Sequence, residues 1–215
     1  MSYDVVTAGT LLNTLLAEVA LQPLETELTS RFEDYLSLLL RWNARVNLTA
    51  IRDEEGILRR HFVESIACAR ALPAGIKTLL DFGSGAGFPG IPIALCRSEI
   101  AVTLAESQGK KAAFLREAVR VLKLSAVVHS ARAEALNDRF DCVTLRAVDK
   151  MDQAVRSAGK LVRSGGYLAL MTTCKELDAL KATAGAEFAW PQLIPLPGGE
   201  ARKIAIGERV ISSPV

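Results

Sequence analysis

Thr78-Leu79-Leu80-Asp81-Phe82-Gly83-Ser84-Gly85-Ala86-Gly87-Phe88-Pro89-Gly90 is the segment around which the rest of the chain is organised. A short apolar run carrying one acid, Asp81, stops at Gly83, Gly85, Gly87 and Gly90. Such a run bounded by glycine predicts a buried strand, and the glycines predict a tight turn where a ligand can approach the backbone. A strand, a glycine turn and then a helix is the layout of a cofactor site. A glycine-rich turn with no ligand is the plain alternative, although one or two glycines would suffice for a turn.

The stretch parses in two ways. Gly85 to Gly90 fits the dinucleotide fingerprint G-x-G-x-x-G, in which a pyrophosphate rests on a helix N-terminus. Asp81 to Gly87 fits D-x-G-x-G-x-G, which resembles the first motif of S-adenosylmethionine-dependent methyltransferases. A carboxylate two residues before the glycines repels a pyrophosphate, whereas a sulfonium compound with an amino group tolerates or uses it, so the second parse is preferred. On that parse Asp81 organises the methionine end of the cofactor, either directly or through the glycine turn.

Downstream, strands and helices alternate. Val102-Thr103-Leu104-Ala105-Glu106 is a second strand that ends in an acid, placed to accept hydrogen bonds from both ribose hydroxyls of an adenosine cofactor. An ordinary surface glutamate is the alternative. Lys110 to Lys123 reads as a helix, Ala126 to His129 as a third strand, and Ala133 and Glu134 as candidates to read an adenine edge, unless they are a plain helical turn. Phe140 to Val148 is a fourth strand with Arg146 at its end, expected to face substrate or cofactor in the crevice, or else to pair with Asp149. A helix, Met151 to Leu161, leads to a Gly165-Gly166 turn, a fifth strand and a helix from Glu176 to Thr183. Two last strands follow, with Pro197-Gly198-Gly199 as the turn between them, so that the last runs antiparallel. Alternation closed by a hairpin suits the methyltransferase sheet better than the dinucleotide one. The fold predicted is α/β: a Rossmann-like class I methyltransferase sheet with helices on both faces and the last strand antiparallel, residues 73–215, preceded by an N-terminal helical cap, residues 1–72, packed as one unit.

Upstream, apolar residues recur at helical spacing. Leu11 to Val19 predicts one helix, Leu28, Phe32, Tyr35, Leu36, Leu39 and Trp42 a second, and Asp53 to about Ala71 a third capped by Asp53. Asn43 to Arg52 reads as an ordered loop in which Asn and Thr side chains bond backbone. Arg59, Arg60 and His61 form a basic cluster on the third helix, a solvated face on composition alone.

With 26 basic and 24 acidic side chains the chain is nearly neutral, so any nucleic-acid footprint must be a local patch. No apolar run approaches the roughly 20 residues that span a bilayer, and the N-terminus lacks a basic region before an apolar one, which predicts a cytoplasmic protein with no membrane partner. Cys68, Cys96, Cys142 and Cys174 form no C-x-x-C pair and read as buried thiols, and with two histidines, His61 and His129, no metal site is expected.

Several stretches together resemble one family: Asn47-Leu48-Thr49, Arg60 to Ser65, Asp81 to Pro92, Gly109-Lys110-Lys111, Arg132-Ala133-Glu134 and Arg146-Ala147 look like the RsmG (GidB) methyltransferases, whose usual aspartate is Glu64 here. The resemblance implies transfer of methyl from S-adenosylmethionine to N7 of one guanine, nucleotide 527 in the 530 loop of 16S ribosomal RNA. It implies cofactor contacts at Gly83, Phe88, Glu106, Ala133, Glu134 and Arg146, added to Asp81, Gly85 and Gly87 from the motif. No general acid or base is expected, because guanine N7 already holds a free lone pair. Arg146 and Arg132 are the substrate-positioning candidates, and Arg59, Arg60, His61, Lys110 and Lys111 the RNA-binding ones. The expected partner is 16S RNA within the 30S subunit, bound by a monomer. A methyltransferase acting on a small molecule or protein, and a cofactor-binding module without catalysis, are the other readings.

Overall fold

The computed structural model describes residues 7–197 and 201–210. Helix α1 (Ala8–Glu18) starts where the Thr7 hydroxyl accepts from Thr10 N–H at 3.2 Å. Helix α2 (Thr26–Asn43) carries the apolar stripe and buries Phe32, Tyr35, Leu36 and Leu39. Asn43 closes it: its Oδ1 accepts from the N–H groups of Leu48 and Thr49 at 2.9 and 3.0 Å, so the following loop is ordered by a side chain, as its Asn and Thr content suggests. The third helix differs from expectation. Asp53 caps it, accepting from Gly56 N–H at 2.6 Å, but between α3 (Glu54–Ile57) and α4 (Glu64–Ala71) the chain widens into a π-helical turn, Leu58–Val63. An inserted π-turn rotates the residues that follow it and frees carbonyls from the regular ladder.

Strands β1 (Thr78–Phe82), β2 (Ala101–Ala105), β3 (Ala126–His129), β4 (Phe140–Arg146), β5 (Val162–Thr173), β6 (Phe188–Pro195) and β7 (Arg202–Arg209) form one sheet in the order β3-β2-β1-β4-β5-β7-β6. The first five are parallel, and β7 lies antiparallel between β5 and β6. Helices α5 (Gly90–Cys96), α6 (Gly109–Val121), α7 (Met151–Leu161) and α8 (Cys174–Ala184) complete the α/β alternation. Gly165 and Gly166 are not a turn before the fifth strand but lie inside it, where pairing with β4 shifts register; Gly165 has φ +70° and a Cβ at Gly166 would sit 2.8 Å from the Asp141 carbonyl. Of the expected Pro197-Gly198-Gly199 turn, both glycines lie outside the described residues. Cys68 and Cys142 are buried as expected, Cys96 is half-buried, and Cys174, at the start of α8, is exposed because it begins an outer helix.

One continuous core joins α1, α2, α4, α5 and α6 to one face of the sheet, and a second, with α7 and α8, covers the other. The join between the helical cap and the sheet is aromatic. Phe62 packs against Phe32, Tyr35 and Phe88 with ring centroids 5.7, 5.1 and 5.4 Å away. Tyr35 also donates to the Ala86 carbonyl at 2.5 Å, so a cap side chain fixes the glycine turn. Burial and the Asp81 carboxylate hold the Tyr35 phenol well above its usual range, so it remains a donor. Tyr35→Phe should lower the unfolding free energy by about 1–2 kcal/mol by leaving a buried carbonyl unpaired, read as a lower urea midpoint at unchanged slope.

Candidate active site

β1 is flanked by β2 and β4, so the order of strands reverses beside it and a crevice opens outside their carboxyl ends. A cavity of about 540 Å³ occupies that crevice. Its floor is Gly83, Ser84, Gly85, Ala86 and Phe88; one end is Glu106, Ala133 and Glu134; the opposite wall is Leu48, Thr49, His61 and Arg146. The volume suits a ligand of cofactor size.

The glycine turn is shaped for close approach. Gly83 and Gly85 have φ of +72° and +56°, conformations that side chains disfavour, and each leaves only hydrogen on the cavity floor. Glu106 is buried at the end of β2 and held by two backbone donors: Gly85 N–H reaches Oε2 at 3.0 Å and Gln108 N–H reaches Oε1 at 2.7 Å. A carboxylate has about four acceptor positions, so each oxygen keeps one for a diol in the cavity.

Two expected cofactor residues do not reach the cavity. Asp81 is buried beneath the turn, its Oδ2 accepting from Gly90 N–H at 3.1 Å and its Oδ1 from the Thr144 hydroxyl at 3.0 Å. Burial pushes its pKa up to about 6, opposed by those bonds and by Ser84. Asp81 thus fixes the turn from behind. Gly87 is there for packing: a Cβ would lie 2.4 Å from Ile91 Cδ1 and 2.9 Å from the Tyr35 hydroxyl.

The wall supplied by the cap is built around Glu64, which is 1% exposed. Its carboxylate pairs with Arg60 at 3.0 Å, with Arg146 at 2.9 Å and with Arg202. Burial pushes the Glu64 carboxyl up from its usual range, and the Arg146, Arg60 and Arg202 guanidiniums in contact with it oppose that and hold it as a carboxylate. Arg146 is therefore not paired with Asp149. The two N–H groups of its Nη2 are shared among Glu64, the Arg60 carbonyl freed in the π-turn and His61 Nδ1 at 3.2 Å, while Nη1 reaches the Ser65 hydroxyl at 3.4 Å. It lines the cavity with most of its donors already committed. The other ring nitrogen of His61, Nε2, lies 2.7 Å from the Thr49 hydroxyl, and the ring stacks on Phe88 at 4.9 Å. Burial, Arg146 and Arg60 lower the His61 pKa to about 3, so the ring is neutral.

Of the basic candidates, Arg132 and Lys111 stand at the cavity, Lys110 is exposed beside it, and Arg59 makes exposed pairs with Glu18 and Glu55 at 2.7 Å. Thr49, Glu64 and Arg202 carry much of the wall without having been singled out from the residues alone. The signal for Glu64 was an acid four residues after Arg60 on an otherwise basic and apolar helix. Among the described residues no group of three or more His, Cys, Asp or Glu side chains is placed to hold a metal ion, and no helix is long and apolar enough to cross a membrane.

A family model described as GidB, rRNA small subunit methyltransferase G, matches residues 28–194. The ribosomal RNA small subunit methyltransferase G of Xanthomonas campestris pv. campestris (strain 8004) is 39% identical over 191 residues, which span 86% of this chain and 89% of the relative. Its counterpart in Stenotrophomonas maltophilia (strain K279a) is 42% identical over 178 residues, spanning 80% and 83%. Among solved structures, a SAM-dependent methyltransferase from Aquifex aeolicus is similar with a TM-score of 0.57 at 16% identity, over 72% of this chain and 93% of its own. The T. thermophilus 16S rRNA N2 G1207 methyltransferase, solved with AdoMet and guanosine, has a TM-score of 0.54 at 18% identity, over 73% and 41%. At those identities the structures establish the class I methyltransferase fold, as the strand order does.

The depressed His61 pKa has a consequence for stability. Between about pH 3 and 6.5 the unfolded chain binds a proton at this ring that the folded chain does not, so this group makes stability rise with pH across that window. His61→Gln should remove about 1 kcal/mol per pH unit from that slope, less than for a wholly enclosed ring because His61 is half-buried. Urea unfolding of both proteins from pH 4 to 6 measures the difference in slope.

Proposed function

The chain belongs to the rRNA small subunit methyltransferase G (GidB) family, and on that premise we propose that it transfers a methyl group from S-adenosylmethionine to N7 of a single guanine, nucleotide 527, in 16S ribosomal RNA. The observation that carries this reading is the cavity at the β1 switch point, with bare glycine backbone on its floor and the doubly anchored Glu106 at one end. Those residues fit S-adenosylmethionine. The open acceptor positions of Glu106 suit the two ribose hydroxyls, Ala133 and Glu134, which line the same cavity, would read the adenine, and Gly83 and Gly85 would let the methionine portion approach the chain. When bound, S-adenosylmethionine supplies a methyl group on a positively charged sulfur.

The chain's own contribution is placement. Guanine N7 carries a free lone pair at neutral pH, so no residue has to remove a proton, and the neutral, hydrogen-bonded His61 is consistent with that economy. Rate then comes from holding N7 in line with the methyl carbon at about 3 Å. The product ring is cationic, so a free cation beside it would oppose the reaction; Arg146 is held against Glu64 by a direct ion pair, which offsets its charge. Arg132 and Lys111 at the cavity mouth, with Lys110 and Arg60 near it, are placed for phosphates, and the exposed pairs of Arg59 are weak enough for a phosphate to compete.

N7 faces the deep groove of an A-form helix, so the target base must leave its stack to enter the cavity. The cap, residues 1–72, would guide it there over the methyltransferase body, residues 73–215. A nearly neutral chain holds long RNA weakly by charge, which favours the assembled 30S surface in the cytoplasm as partner of a monomer.

Label from S-adenosylmethionine should appear as 7-methylguanosine when the protein acts on unmethylated 30S particles, with less on naked 16S RNA; label at any other atom would contradict the reading. Glu106→Gln would turn an amide donor toward Gly85 N–H or Gln108 N–H. Its affinity for S-adenosylmethionine, measured by calorimetry, should fall by roughly ten-fold or more, the loss expected for hydrogen bonds to a charged acceptor.

A further inference from the structure

The cap wall holds a chain of hydrogen bonds whose direction is fixed at one end. A guanidinium only donates, so at 3.2 Å from Arg146 Nη2 the His61 Nδ1 must be the acceptor. The nearby Arg60 carbonyl keeps a second lone pair, but among the described residues the hydrogen-bond partner of Nδ1 is Nη2, and that carbonyl is bonded by Nη2. The ring proton therefore sits on Nε2 and points at the Thr49 oxygen, 2.7 Å away. That oxygen also accepts from Ile51 N–H at 3.2 Å. Both of its lone pairs are now taken, and its own proton must donate elsewhere. Thr49 lines the cavity, on the wall opposite Glu106.

We propose that Thr49 is the specificity residue for the target base: its hydroxyl, turned into a donor by His61 and Arg146, bonds the 6-oxo oxygen of the guanine whose N7 is methylated. This rests on the methyltransferase reading above. The oxygen O6 lies beside N7 on the same edge, so a donor there orients the base and leaves the N7 lone pair free. Adenine presents an amino donor at the same place and would meet a donor with a donor. Arg146 and His61 act through Thr49 as positioning residues, and the loop that carries it is held by Asn43 through Leu48 N–H and Thr49 N–H.

Two measurements test this. The chain has two histidines, so a long-range nitrogen–proton spectrum of nitrogen-labelled protein resolves His61 from His129. The expected pattern for His61 is an unprotonated Nδ1 and a protonated Nε2 throughout pH 5 to 8; a protonated Nδ1, or a ring that titrates in that range, overturns the proposal. Second, single-turnover methyl transfer to 30S particles and S-adenosylmethionine affinity are compared for the wild type, Thr49→Val, Thr49→Ala and Thr49→Ser. Removal of the hydroxyl should slow transfer roughly ten-fold with cofactor affinity unchanged, and Thr49→Ser should recover most of it. Val and Ala variants as fast as wild type, or a loss of cofactor affinity that matches the loss of rate, would overturn it. Wild type that binds cofactor but methylates no guanine sinks the underlying reading as well, and that is visible before any variant is compared.

Discussion

A carboxylate buried at 1% exposure inside a nearly neutral protein is tolerable only if its charge is met, and Glu64 is met by three guanidiniums from three separate parts of the chain. Arg60 comes from the π-turn of the cap, Arg146 from the end of β4 and Arg202 from the start of β7. The clasp thus joins the helical cap to the parallel half of the sheet and to the antiparallel strand β7 beside it. Without it the cap wall of the cavity would carry unmatched cations next to the place where the product becomes cationic. With it, Arg146 can sit at the cavity yet present its charge to Glu64, and the same guanidinium sets the orientation of His61.

The opposite side of the cavity obeys a different constraint. There the backbone itself lines the cavity, and side chains work from behind: Asp81 ties β1 to the start of α5 and to Thr144, and Tyr35 ties the turn to the cap. Phe88 belongs to both sides, stacking on His61 at the cavity and packing on Tyr35 and Phe62 beneath it. One aromatic cluster therefore couples the glycine floor to the cap wall.

What was legible in the sequence follows from range. The glycine turn, the acid at Glu106, the short turn at Ala133 and Glu134 and the alternation of strands and helices are written in local patterns of a few residues, and the structure places them around one cavity. For Asp81 the motif left two routes open, directly to the cofactor or through the glycine turn, because spacing does not say which way a strand-end side chain points; its bonds to Gly90 N–H and the Thr144 hydroxyl put it behind the turn. Arg146 read as a substrate group with Asp149 as the alternative partner, since nothing local announces a partner 82 residues earlier. Arg202 meets Glu64 across 138 residues, and no role could be given to it from the sequence. The π-turn was invisible for a related reason: its apolar spacing continues the helix on either side, and only the redirected carbonyl of Arg60 and ring of His61 reveal it.

In the proposed function a single cavity has two walls with separate duties, glycine backbone and Glu106 for the cofactor, and the clasped Thr49–His61–Arg146 wall for the base. The most direct measurement is a structure of the protein on the unmethylated 30S subunit with a non-reactive S-adenosylmethionine analogue. The analogue's ribose should lie at Glu106 and an unstacked guanine between the glycine floor and the cap wall, its N7 facing the cofactor's transferable group. A base seated outside this cavity, or a cofactor lying against the cap wall in the base's place, would contradict it.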